Sequence, residues 1–237
     1  MNPSEPLRSA VQTCFRAVLR GDLDLLASVA IPDPELCLLA ARRVPDAARG
    51  ELEGQLESMQ MWCDELFEGR LLVTAHFQGS LHLLVAVPKA DGSHALDLRW
   101  WIAAEKPRTE RDETARRFYA ALLTGDLATI QQLAVDVRGT ELLTQNPPPR
   151  GEHGQLEHVA ESMALLEIGP GESYPSPQGV ERVDERHAKA GLTVLLGLTG
   201  EGLVPFLMKR IDGQWRVSPA LWILSIVKAR GGTIKPV

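Results

Sequence analysis

The sequence predicts an α+β chain built from two tandem units, each with helices followed by an antiparallel sheet. Three internal matches carry that prediction, and self-similarity of this kind is the first thing to look for in a sequence. Phe15 to Leu23 lines up with Tyr119 to Leu127 at an offset of 104. Arg49-Gly50-Glu51 and Gly54-Gln55-Leu56-Glu57 line up with Arg150-Gly151-Glu152 and Gly154-Gln155-Leu156-Glu157. Leu71 to Ile102 lines up without a gap with Leu192 to Ile223, at an offset of 121.

In the first match, apolar residues at helical spacing run into Gly21-Asp22 and Gly125-Asp126. Glycine suits the left-handed position that ends a helix, and aspartate caps the next. Each unit therefore opens with two helices, Pro6–Arg20 and Leu23–Ala30, then Thr109–Thr124 and Leu127–Val135. The second match opens a further helix, with Leu52, Leu56, Met59, Cys63 and Leu66 on one face in the first unit.

The third match pairs Leu71/Leu192, Val73/Val194, Gly79/Gly200, Asp91/Asp212, Gly92/Gly213, Trp101/Trp222 and Ile102/Ile223. The glycine positions and the Asp-Gly pairs read as hairpin turns, because tight turns need positive φ. Each unit thus ends in a meander of at least three strands, and one strand of the first meander is expected to be missing. The offset grows from 100 at Glu157 to 121 at Leu192, which places 21 extra residues near 166–190 of the second unit. They comprise a loop, Gly169 to Gly179, and one extra strand over Val180–Lys189. Asn146 to Pro149 forms another loop. The domains expected are residues 1–105, compact, and 106–237, with the boundary at Glu105-Lys106-Pro107-Arg108.

Composition excludes several classes. Of the 237 residues, 44 % are hydrophobic and 24 % charged, which is ordinary for a globular chain. The net charge of −6 and the absence of a basic stripe argue against nucleic acid. Arg108 to Arg117 is interleaved with Glu110, Asp112 and Glu113 and reads as a solvated helix face. The first residues show no basic region followed by an apolar core, so no signal peptide is expected. The apolar runs Leu81–Val87 and Leu221–Val227 are too short to span a bilayer. Cys14, Cys37 and Cys63 are odd in number and widely spaced, which suits reduced thiols in a cytoplasm.

The order of two helices, a short extended segment, a third helix and a terminal meander resembles the nuclear transport factor 2-like superfamily. That superfamily shares a cone-shaped fold with ketosteroid isomerase and SnoaL-like polyketide cyclases. The resemblance rests on Phe118 to Leu127 and on Val204 to Val217, whose end has the Gly-x-Trp-Arg-Val form common in the fold. It covers residues 108–225 well and residues 7–104 less well, with His94 standing where Trp215 stands in the second unit. It implies helices packed on a curved antiparallel sheet. It does not fix an activity, because one fold hosts many functions.

Alternation along the expected last strands puts His94, Leu96, Leu98, Trp100 and Ile102 on one face. Ala95, Asp97, Arg99 and Trp101 fall on the other. The matching sets are Trp215, Val217, Pro219, Leu221, Ile223 and Arg216, Ser218, Ala220, Trp222. The resemblance implies association through the outer sheet face, which makes Trp101 and Trp222 interface candidates near a pseudo-twofold axis. The plainer reading is that each tryptophan packs within its own unit.

The pocket candidates are His94 on the apolar face of the first unit, and Tyr119, Glu157 or Glu161, Arg186 and His187 in the second. A His–carboxylate pair suits proton abstraction next to a carbonyl. Against this, a core histidine, a solvated third helix and a charged ribbon from Glu181 to Arg186 are plain structural readings. His76 and His82 do not form a metal pair, because the Gly79 turn, read as pairing Phe77 with His82, sends them to opposite faces. Phosphate loops, nucleophile elbows, Cys-x-x-Cys pairs and zinc helices do not occur in the sequence.

The expectation is a cytoplasmic, non-catalytic module that binds a small hydrophobic ligand or a protein partner, built as a covalent pseudo-dimer and so a monomer. No cofactor, metal, nucleic acid or membrane is expected. The alternative is a cofactor-independent isomerase or cyclase with its site in the second unit.

Overall fold

In the computed structural model, residues 1–146, 160–200 and 202–230 are described. The chain divides into two compact units, Met1–Lys106 and Pro107–Val237. The helix expected from Arg150 to Glu157 and most of the Asn146–Pro149 loop lie outside the described residues.

The first unit opens with α1 (Glu5–Arg20) and α2 (Leu23–Val29), joined by Gly21 at φ 68°. The Gly21 N–H donates to the Ala17 and Val18 carbonyls, and Asp22 accepts from Leu25 N to start the next helix. A Cβ at Gly21 would also lie 2.8 Å from the Ala40 carbonyl oxygen, so glycine is required there twice over. Then come α3 (Leu36–Ala40), α4 (Asp46–Gln55), a 3-10 turn (Leu56–Ser58), and β1 (Gln60–Glu65), β2 (Leu71–Phe77), β3 (Ser80–Pro88) and β4 (His94–Asp97). The strands form one antiparallel sheet in the order β1-β2-β3-β4. Leu7, Val11, Cys14 and Phe15 of α1 bury against Met61, Cys63, Val73, Ala75, Leu84 and Leu96 of the sheet. A last helix, α5 (Arg99–Glu105), closes the unit.

The second unit has α6 (Glu110–Thr124), α7 (Leu127–Leu133) and α8 (Glu141–Gln145), with residues 160–162 also helical. α6 starts at a Thr109/Asp112 capping box and ends at Gly125, φ 73°. Its sheet contains β5 (Ala164–Ile168), β8 (Leu192–Thr199), β9 (Gly202–Ile211) and β10 (Gln214–Ser218), in the order β5-β8-β9-β10. Between β5 and β8 stand a hairpin, β6 (Ser173–Ser176) with β7 (Gly179–Arg182), and a short helix, α9 (Glu185–Lys189). The unit ends in α10 (Ala220–Ala229). Both units are thus mixed α and β, with helices and an antiparallel four-stranded sheet, as the sequence predicts.

Register corrects the alignment of the two units. Val73 faces the first core and pairs with Cys63 and Leu84; Leu195 faces the second and pairs with Glu167 and Phe206. Val73 therefore corresponds to Leu195, an offset of 122. The ungapped offset of 121 sets it against Val194, which points to the opposite face. Cys63 then matches Glu167 at 104, the offset already seen in the opening helices. The extra residues number 18, all between β5 and β8, and the loop Lys89–Ser93 is one residue longer than its counterpart. The offset of 121 returns at β4 and β10, where Ala30 bridges Leu96 and Ala134 bridges Val217.

Several other expectations change. Leu98, Trp100, Trp101 and Ile102 continue from β4 into a helix, not a strand; so do Leu221, Trp222 and Ile223 after β10. The buried Asp97 carboxylate accepts the Arg99 N–H and clamps the Arg99 guanidinium, which turns the chain out of the sheet. In the second unit Pro219, which has no N–H to donate to a ladder, does the same job. Cys63 lies on β1, and Leu66 follows that strand, so the expected third helix of the first unit stops earlier. No strand is missing from the first sheet, which has four. His82 pairs with Ala75 rather than Phe77, because Gln78-Gly79 makes a two-residue turn; His76 still falls on the opposite face. Val180–Lys189 is one strand of a hairpin and then a helix, so Arg186 and His187 lie on α9.

Candidate functional site

The residues inserted between β5 and β8 fold around one buried polar group. Tyr174, the second residue of β6, is 1 % exposed. Its hydroxyl lies 3.0 Å from Glu181 Oε2 on the paired strand β7 and 2.9 Å from His187 Nε2 on α9. His187 Nδ1 lies 3.0 Å from Asp184 Oδ1 and 3.2 Å from Asp184 N, within the capping box that begins α9. Asp184 also accepts from Arg186 Nε. Burial, reinforced by the Glu181 and Asp184 carboxylates, pushes the Tyr174 phenol well above its ordinary pKa. Hydrogen bonds from Arg186 first, and from His187 after the opposing effect of desolvation, hold Asp184 at about 2.

This cluster reads as an anchor. Both ring nitrogens of His187 are engaged and the residue is 9 % exposed. A phenol shifted upward stays protonated at neutral pH and is a poor base. The cluster ties the hairpin to α9.

The tip of the hairpin has a different character. Pro175, Ser176 and Pro177 form one wall of a cleft of about 200 Å³, completed by Pro205 of β9 and by Leu221, Trp222 and Ser225 of α10. Lys228 Nζ donates to the Pro177 carbonyl from the same helix. The lining side chains are apolar apart from two serine hydroxyls and the Trp222 indole N–H, and none of these seven residues is titratable. A cavity of about 150 Å³ already admits a benzene-sized guest, so the volume suits a single ring.

The sequence-derived candidates do not converge. Tyr119 is buried in the second core, its ring 6.2 Å from Phe206 and 6.0 Å from Trp222. Glu161 is exposed, and its backbone carbonyl receives Arg108 and Arg116. His187 sits in the anchor. His94 is half-buried at the start of β4, opposite Pro88 of the first unit. Trp101 lies on α5 against Phe15, 5.2 Å between rings, and His82. Trp222 lies on α10 against Tyr119 and Phe206. The premise of the interface reading, that both tryptophans occupy an outer sheet face, does not hold. His82 is packed among Phe15 and Trp101, and burial lowers its pKa.

Sequence reasoning missed Tyr174 and the proline wall. The signal was present: Asp184-x-x-His187 has capping-box spacing, which ends the preceding strand and starts a helix. Among the described residues no group of three His, Cys, Asp or Glu side chains is placed to hold a metal ion, and no helix is long and apolar enough to cross a membrane. Compared with family models, curated proteins and solved structures, the chain matches none.

Proposed function

We propose that this chain is a non-catalytic binding protein that takes a small, neutral, apolar ligand in the cleft between the β6–β7 hairpin and α10. The observation that carries the reading is the lining: three prolines, Leu221 and Trp222 around a ring-sized volume. Rigid apolar walls with a few polar groups are the ordinary make-up of a small-molecule site. The isomerase or cyclase alternative needs a base and a partner acid facing a cavity. His187 and Asp184, the pair best suited to it, are committed to the anchor.

The same proposal includes an origin. Matching strand order, matching bridges at Ala30–Leu96 and Ala134–Val217, and matching aromatic pairs Phe15–Trp101 and Tyr119–Trp222 support tandem duplication of one nuclear transport factor 2-like unit. In that view the chain is a covalent pseudo-dimer whose second copy acquired the hairpin and with it the cleft. The three free thiols, with Cys14 raised to about 12 by burial, are consistent with a cytoplasmic protein.

The test is thermal unfolding with methylcyclohexane as the probe. A ligand at ten times its Kd stabilises the native state by about 1.4 kcal/mol. A rise in Tm for the wild type that disappears in Ser225→Trp, which fills the cleft, supports the reading. No rise up to saturating methylcyclohexane rejects it.

A further inference from the structure

The two hydroxyls of the cleft define its guest more narrowly, provided that the cleft is a binding site at all. Ser225 donates its hydrogen to the Leu221 carbonyl of its own helix at 3.1 Å, so what its oxygen offers the cleft is a lone pair. Ser176 does the opposite. Its oxygen accepts from Gln178 N at 3.1 Å, which leaves the hydroxyl hydrogen to donate. Among the described residues the other lining side chains add no polar partner to these two: the proline rings carry no donor, and the Trp222 indole N–H is shielded from water. Lys228 is engaged at the Pro177 carbonyl.

One donor, one acceptor and no charge among the lining side chains call for a ligand atom that accepts and donates at once, which is a hydroxyl oxygen. We propose that the cleft binds a neutral, ring-sized alcohol, its oxygen accepting from Ser176 and donating to Ser225, its ring against Trp222 and the prolines. A hydrocarbon of the same size strips water from both serines and returns nothing. A ketone answers Ser176 and leaves Ser225 without a donor. A carboxylate brings a charge into an apolar setting.

The experiment is an amide and indole NMR titration of the full chain with cyclohexanol, cyclohexanone, methylcyclohexane and cyclohexanecarboxylate. The Trp222 indole signal is assigned by its loss in Trp222→Phe. Cyclohexanol is expected to bind about fivefold more tightly than cyclohexanone. Ser176→Ala and Ser225→Ala are each expected to weaken cyclohexanol about fivefold and to bind methylcyclohexane no more weakly than the wild type does. Methylcyclohexane binding as well as cyclohexanol, with both alanine variants neutral, overturns the alcohol and leaves the apolar site standing. Cyclohexanecarboxylate binding most tightly also overturns it and points to Lys228. If no probe moves the Trp222 signal, the binding site fails with it.

Discussion

Tyr174 is the residue on which the inserted hairpin turns. Its hydroxyl joins β7 to α9 through Glu181 and His187, with Tyr174 and His187 themselves buried. Tyr174→Phe keeps the ring packing and leaves His187 Nε2 buried without a partner, at a cost of about 1–3 kcal/mol. The loss is expected as faster hydrogen exchange at Gly171 and Val183, whose amides hold the base of the hairpin; unchanged exchange there would show that the cluster anchors nothing. Asp184 supplies a pH-dependent companion. Its folded pKa of about 2 lies below the ordinary aspartate value near 3.9, so the cap contributes above about 4 and is lost as pH falls through about 2. Arg186→Ala removes the largest cause, and the Asp184 carboxyl titration measured by NMR is expected to move up toward the ordinary value. Of all this, only the Asp184-x-x-His187 spacing was legible residue by residue. The charges from Glu181 to Arg186 look like a solvated ribbon, and only the pairing of β6 with β7 reveals that Tyr174 and Glu181 meet.

At the scale of elements, the sequence was most legible where a boundary depends on local chemistry. Gly21-Asp22 and Gly125-Asp126 predict a helix end and a new cap, and both occur. It was least legible where one apolar pattern serves two periods. Leu96, Leu98, Trp100 and Ile102 alternate like a strand, yet Leu98 and Ile102 also sit one helical turn apart, and the Ile102 N–H bonds to the Leu98 carbonyl. Tertiary position decided between them. The hairpin turns show how local sequence and fold can disagree. Gln78 and Gly79 both have positive φ, 53° and 73°, as a two-residue turn of this type requires. Asp212-Gly213 meets that need with favoured residues, whereas Gln78 adopts a backbone region that side chains beyond Cβ disfavour. Gln78→Asn is expected to raise stability by about 0.5 kcal/mol, read as a higher urea midpoint with an unchanged slope. Gly197, in the middle of β8, runs the other way. A Cβ there would lie 2.2 Å from Met163 Sδ and 3.2 Å from Phe206, both buried. Gly197→Ala should lower the urea midpoint by an amount equivalent to about 1–3 kcal/mol, and a neutral result would mean that Met163 has room to move.

At the scale of the molecule, the strand registers make equivalence between the units a testable quantity. At the constant offset of 104, Gln12 of α1 corresponds to Arg116 of α6. Gln12 Nε2 donates to the Leu56 carbonyl at 2.9 Å, and Arg116 Nη1 donates to the Glu161 carbonyl at 2.9 Å. The acceptors are within one residue of equivalence, and each belongs to the last turn of the helical segment before the first sheet strand. Carbonyls at a helix end lack a full set of partners inside the helix: the Leu56 carbonyl keeps Met59 N at 3.2 Å, and the donor from the opening helix adds a second bond. The charge is therefore incidental to the job. Burial lowers the Arg116 pKa, helped by the neighbouring Arg108, which means that the guanidinium is held there at some cost. Duplication from one ancestral unit then predicts a specific asymmetry among substitutions. Arg116→Gln restores the residue of the first unit and should leave stability within about 0.5 kcal/mol of wild type, while Arg116→Ala and Gln12→Ala each lose about 1 kcal/mol. Arg108 Nη2 also reaches the Glu161 carbonyl, so the alanine loss at 116 should grow when combined with Arg108→Ala, and that coupling is absent for Gln12. Urea unfolding of these variants decides the matter: if Arg116→Gln is as damaging as Arg116→Ala, the two positions share a place in the fold without sharing a role.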